Sequence, residues 1–191
     1  MTSLQEIDYL PESKVIPGKV AAAAFSETWL GSWDYTFLRA GFWGFAKENV
    51  GFVHAIDPTT FRTVAPSLRL QIPSSTIIAL GQRAYWIIGI WHNSPNKNLR
   101  FDFWHRDTRS SPAGIWGKRI YYWRDEQAVM TMAWSVDAGT DAADTWLQVT
   151  NLDIPTGVSA HVVIFFSLEA LTGITNAAIN VWYDDIRLRI V

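Results

Sequence analysis

The residues able to do chemistry are few, and their spacing does not suit catalysis. Four histidines, His54, His92, His105 and His161, lie far apart in the chain. None stands in the His-Glu-x-x-His spacing that places two imidazoles and a general base on one helix face. No Gly-x-Ser-x-Gly segment presents a nucleophile on a strained turn. The cysteine count is zero, which excludes a thiolate metal site, a Cys nucleophile and a disulfide framework. Glycoside hydrolysis needs two carboxyl groups facing each other across the scissile bond. Asp102 is the only acid between Leu99 and Arg106, and Asp184 and Asp185 are adjacent. In an extended strand, neighbours point to opposite faces. Asp57 and His105 have the right types for an acid/base pair, but nothing in the sequence brings them together. The chain reads as non-catalytic.

Aromatic rings are the surplus: 11 Trp, 10 Phe and 6 Tyr make up 14% of the residues. A flat ring offers a sugar a stacking face, and a few polar groups then orient the hydroxyls. Trp104 stands two residues from Asp102 and two from Arg106, and an indole among charges suits a surface. Trp116 falls in a loop-like stretch, Ser111 to Gly117. A denser block holds Trp29, Trp33, Tyr35, Phe37, Phe42, Trp43, Phe45 and Phe52, broken by Gly31, Gly41, Gly44 and Gly51. Such a block suits a glycan groove, a flat contact with another protein, or the strands of a core. The predicted glycan- or partner-binding residues are therefore Trp104, Trp116, Trp29, Trp33 and Trp43, with Asp102 and Arg106 as polar neighbours. Trp86, Trp91, Trp123 and Trp182 lie in more apolar runs and read as core.

These side chains need elements to hold them, and the pattern is β. Ser67 to Ile72 alternates apolar and polar residues, as does Leu99 to Arg106, with Trp104 on the polar face of the latter. Tyr85 to Trp91 and Ala160 to Leu168 are apolar on both faces, which suits central strands. Further strands are predicted over 119–124, 129–135, 145–150 and 178–190. Turn chemistry separates them at Asn93 to Asn96, Ser110 to Gly114, Asp137 to Gly139 and Pro155 to Gly157. Short strands at this spacing predict a two-sheet antiparallel sandwich. A length of 191 residues suits one domain. It is read as an extended arm over residues 1–19, broken by Pro11 and Pro17, followed by a β domain over 20–191. The net charge is −2, and the basic residues between Lys97 and Arg124 are scattered, which reads as solvated charge. No nucleic-acid partner is expected. No apolar run reaches the ~20 residues of a membrane-spanning helix, and the N-terminus lacks a basic start and an apolar core, so neither a membrane partner nor a secretory signal is expected.

The second half resembles a known family. Thr145-Trp146-Leu147-Gln148-Val149 precedes Ile154-Pro155-Thr156-Gly157, the chain closes on Val181-Trp182-Tyr183-Asp184-Asp185-Ile186-Arg187-Leu188, and Ser67-Leu68-Arg69-Leu70 lies upstream. These segments resemble jelly-roll carbohydrate-binding modules of the xylan- and glucan-binding kind, over about residues 20–191. The resemblance implies an all-β jelly-roll β-sandwich, a fold also used in phage virion and adhesion proteins. It also implies a structural calcium ion held by Asp185, with Glu27 as a partner. Against that stands a pair of solvated carboxylates, or one paired with Arg187 or Arg189. The function expected is non-catalytic. One reading is a virion component, a capsid decoration or tail protein assembled in the host cytoplasm as a homo-oligomer or with other virion proteins. The alternative is an extracellular glycan-binding module of a polysaccharide-degrading enzyme or adhesin.

Overall fold

A computed structural model describes residues 6–9, 38–63, 66–92, 96–108, 115–159, 161–172 and 178–191, with only the backbone course of 6–9, 38–44, 91–92, 161 and 188–190. Among these residues there is no helix. Eleven strands run as β1 (Glu6–Tyr9), β2 (Leu38–Lys47), β3 (Val53–Asp57), β4 (Ser67–Ile72), β5 (Arg83–His92), β6 (Asn98–Thr108), β7 (Trp116–Arg124), β8 (Thr131–Asp137), β9 (Leu147–Pro155), β10 (His161–Ala170) and β11 (Ile179–Ile190). They form a six-stranded sheet, β1-β2-β5-β10-β7-β8, and a five-stranded sheet, β3-β4-β11-β6-β9. The strand pairs are antiparallel, giving the two-sheet sandwich that the turn spacing predicts, consistent with the jelly roll that the resemblance implies.

Period-2 alternation builds the core between the sheets. On β6, Leu99, Phe101, Phe103, His105 and Asp107 are buried, while the residues between them are half-exposed. Phe103 meets Trp134, Phe166 and Tyr183 at ring-centroid distances of 5.4, 5.6 and 6.2 Å, so one ring ties strands from both sheets. β5 and β10 sit in the middle of the six-stranded sheet, with Ile164 opposite Ile88. Their second apolar face makes a smaller buried cluster of Ala46, Tyr85, Ile87, Tyr121 and Phe165 on that sheet's outer side. A double-faced apolar sequence is thus matched by two buried faces.

Two turns follow their sequence signals. Gly157 has φ 60°, a left-handed conformation that favours glycine, and a Cβ there would displace the ends of the Glu126 and Arg124 side chains. The amide of Asn96 donates to its carbonyl at 2.6 Å, which holds the β5–β6 and β9–β10 connections together.

Three sequence expectations need correction. Trp116 is not in a loop: it opens β7, 0% exposed, in the core. Lys118 and Arg119 are not solvated charges, since both are buried. Asp184 and Asp185 do not diverge, because a register shift between Asp184 and Arg187 on β11 interrupts the alternation, with Asp185 at φ 47°. Of the arm, residues 6–9 form an edge strand on the chain's own sheet, with Glu6 opposite Lys47 and Tyr9 opposite Gly44. The boundary at residue 19 lies outside the described residues.

Candidate functional site: the outer face of the five-stranded sheet

The phase that sends Phe101 and Phe103 inward sends Asp102, Trp104, Arg106 and Thr108 outward. Beside them on β11, Val181 and Tyr183 face the core, so Asn180, Trp182 and Asp184 face out. Register then sets the rows. Arg69 on β4, Trp182 on β11 and Arg106 on β6 are neighbours, and Trp104 lies between Asp184 and Gln148.

Each row is held by specific contacts. Trp182 is only 5% exposed despite facing out. The Arg106 guanidinium stands 5.7 Å from its ring centre, and its Nε1 donates to Asp57 Oδ2 at 2.8 Å. Burial alone would raise the Asp57 pKa. Hydrogen bonds from the Thr59 hydroxyl, the Trp182 indole and the Thr59 and Thr60 amides outweigh it and hold the carboxyl down to about 2. Farther along, Arg100 clasps Asp153 with two bonds of 2.6 Å, the bidentate geometry that makes such pairs strong. The Asn151 amide donates to Asp102 Oδ1 at 2.7 Å.

Trp104 carries a cap. The Arg62 guanidinium stacks 3.7 Å from its ring centre. Arg62 belongs to the connection from β3 to β4, and both aspartates of the bulge fasten it. Its amide donates to Asp184 Oδ2 at 2.7 Å, and its Nη1 pairs with Asp185 Oδ2 at 2.7 Å. The Thr63 hydroxyl also donates to Asp185 Oδ2, at 2.5 Å. Asp184 is 1% exposed, and burial pushes its carboxyl up to about 7 although the Arg62 and Asp185 amides donate to it.

Three polar atoms on this face are buried with no hydrogen-bond partner: Arg69 Nε, Arg106 Nε and Asn180 Oδ1. Buried polar atoms are nearly always paired. These three flank Trp182, and they offer two donors and one acceptor.

The predicted site residues separate accordingly. Asp102, Trp104 and Arg106 come together on one face. Trp116 faces the interior and cannot meet a ligand. Trp43 lies on β2 opposite Ile88, while Trp29, Trp33 and Glu27 fall outside the described residues. Asp185 pairs with Arg62 and accepts a hydrogen bond from Thr63. Among the described residues no group of three His, Cys, Asp or Glu side chains could hold a metal ion; Glu27, the partner expected for Asp185, lies outside them. Asp57 and His105 do not meet: Asp57 pairs with the outer-face Trp182, whereas His105 lies in the core. Sequence reasoning missed Trp182, Arg69 and Arg62. Alternation on the last strand marks Trp182 as outward-facing, but no local signal marks Arg62.

No protein-family model matches the chain, and no curated protein sequence matches it. Solved structures do. The chain is similar to a carbohydrate-binding module of the β-sandwich superfamily, with a TM-score of 0.52 and 9% identity, covering 88% of this chain and 63% of that one. It is similar to the CBM22-1–GH10 modules of Clostridium thermocellum endo-1,4-β-D-xylanase 10B, solved with xylohexaose, with a TM-score of 0.50 and 7% identity over 76% of this chain and 26% of that one. The enzymatically active domain of bacteriophage CBA120 tailspike protein 4 matches with a TM-score of 0.47 and 15% identity, over 78% of this chain and 19% of that one. These likenesses concern the fold: the chain is a β-sandwich of the kind carbohydrate-binding modules use.

Proposed function

We propose that this protein binds a polysaccharide without cleaving it, on the outer face of the five-stranded sheet. One observation carries the reading. That face gathers a half-buried indole, Trp104, with outward Asp102 and Arg106, beside a row whose Arg69 Nε, Arg106 Nε and Asn180 Oδ1 are left without partners. Sugar hydroxyls both donate and accept, so they complement the outward Asp102 and Arg106 side chains, while the stacked Arg62–Trp104 pair gives the ring edge a polar rim. The outer side of the six-stranded sheet, by contrast, is filled by its own apolar cluster. Acids on the binding face are engaged structurally, Asp153 with Arg100, Asp57 with Trp182, and Asp184 and Asp185 with the Arg62 segment. That supports binding over hydrolysis. Replacing Trp104 by Ala is expected to weaken retention on an insoluble polysaccharide about tenfold while the melting temperature holds. Equal retention of Trp104→Ala and the parent on every polysaccharide that binds would refute this face.

The setting we infer is the surface of a virus particle, as a capsid decoration or tail protein, with an exported enzyme or adhesin module as the alternative. In either setting the same face would be turned toward the glycan.

A further inference from the structure

Between the sheets lies a cluster that glycan binding does not use. Lys118 falls in the inward phase of β7 with Trp116, Ile120 and Tyr122, and its side chain is 0% exposed. Its ammonium donates to Oδ2 of Asp107 on β6, a residue 1% exposed. It also donates to Asp141 Oδ2, at 2.6 Å, from the connection after β8. His105 Nδ1 stands 3.0 Å from the same nitrogen. The imidazole packs 5.0 Å from Trp134 and 6.3 Å from Phe103, centre to centre. Burial and the Lys118 charge hold His105 down to about 3, so the ring is neutral and its Nδ1 can accept a hydrogen bond from the ammonium. Asp141 is the one member with some access to solvent, its side chain 13% exposed.

A primary amine and a carboxyl group held in contact, away from water, are the reactants of an amide. In bulk water the charged pair is inert. Here both side chains are withdrawn from solvent, 0% and 1% exposed. Contact also replaces a bimolecular encounter with a preset geometry.

We propose that Lys118 and Asp107 condense into an intramolecular isopeptide bond, with Asp141 carrying protons, so that one covalent link joins the two sheets. The Asp141 carboxylate, 2.6 Å from the ammonium nitrogen, takes a proton from it. The freed amine attacks Cγ of Asp107, and the Nζ–Cγ bond forms. Two of the three ammonium protons reach the departing Asp107 oxygen, handed on by Asp141. The Cγ–O bond then breaks and one water leaves past Asp141. Asp141 ends as it began. Ammonium and carboxylate become amide and water, with no oxidant, reductant or co-substrate.

The mass of the denatured full-length chain tests this, read fresh and after prolonged incubation. The expected chain is lighter than its sequence by one water. Tryptic digestion is expected to yield a branched peptide joining the segments that carry Asp107 and Lys118, with no cleavage after Lys118. Asp141→Asn keeps both reactants and removes the carrier, and Lys118→Arg removes the nucleophile; both are expected at full mass. A wild-type chain at full mass in fresh and aged samples overturns the proposal, and that reading needs no variant to fold. A lost water that maps elsewhere, as a succinimide would, overturns it too. Neither outcome bears on polysaccharide retention.

Discussion

Two buried groups, Asp184 and His105, have opposite proton preferences. Asp184 titrates near 7 when folded, against an ordinary 3.8. The folded state holds its proton more tightly than the unfolded chain, so the stability from this group declines as pH rises from 3.8 to about 7. His105 titrates near 3 instead of 6.5. Folding disfavours its proton, so stability declines as pH drops from 6.5 toward 3. Each slope approaches about 1.4 kcal/mol per pH unit, and over the shared interval they cancel. Asp184→Asn removes one side of the balance. Its unfolding free energy is expected to fall by roughly 1 kcal/mol per unit on acidification below 6.5, against a nearly flat parent. Denaturant titrations across that range check it, and parallel profiles for the two proteins would count against the assignment.

At the scale of the element, the bulge on β11 does what a regular strand would not. It brings two neighbouring carboxylates to the same segment, where Arg62 and Thr63 meet them across 122 or 123 residues of sequence. A guanidinium therefore pairs with the carboxylate that the family resemblance assigns to calcium. Chelator is expected to leave the melting temperature unchanged. A fall on chelation that calcium restores would show that Asp185 exchanges Arg62 for the ion. The bulge also sets what a ligand meets, since the segment it anchors lays Arg62 on the Trp104 ring.

The whole molecule has two unlike outer faces. One is polar, with Asp102, Trp104 and Arg106 half-exposed; the other carries a second apolar cluster. At the margin of the latter sheet, β1 covers the edge of β2. Uncovered edges invite pairing between chains. Deleting residues 1–9 is thus expected to leave the sandwich folded and to raise the mass in light scattering by edge-to-edge association. If the arm instead clasps a neighbour in a particle-like assembly, the full-length chain will run as a closed oligomer and the deletion will lower its mass. A single unchanged mass would dismiss both consequences of the arm.

Alternation with period 2 is a local property, and it was readable. It placed β4 at Ser67–Ile72 and β6 around Leu99 to Arg106 and put Trp104 on an outer face beside Asp102 and Arg106, while runs apolar on both faces marked β5 and β10 as central. The absence of any spaced catalytic motif was equally plain. Partnerships across the sandwich were not readable, because they join residues distant in sequence. Loop-like neighbours disguised Trp116 as exposed, although β7 pairs with β10 and buries it. Lys118 looked like solvated charge, although the inward phase it shares with Ile120 and Tyr122 was there to be seen. The Asp184–Asp185 pair announced an irregularity, and only the register of β11 against β6 turned it into an anchor for Arg62. Local sequence chose the strands and their faces. Which side chains meet was decided by sheet register and one bulge, since both depend on strands far apart in the chain.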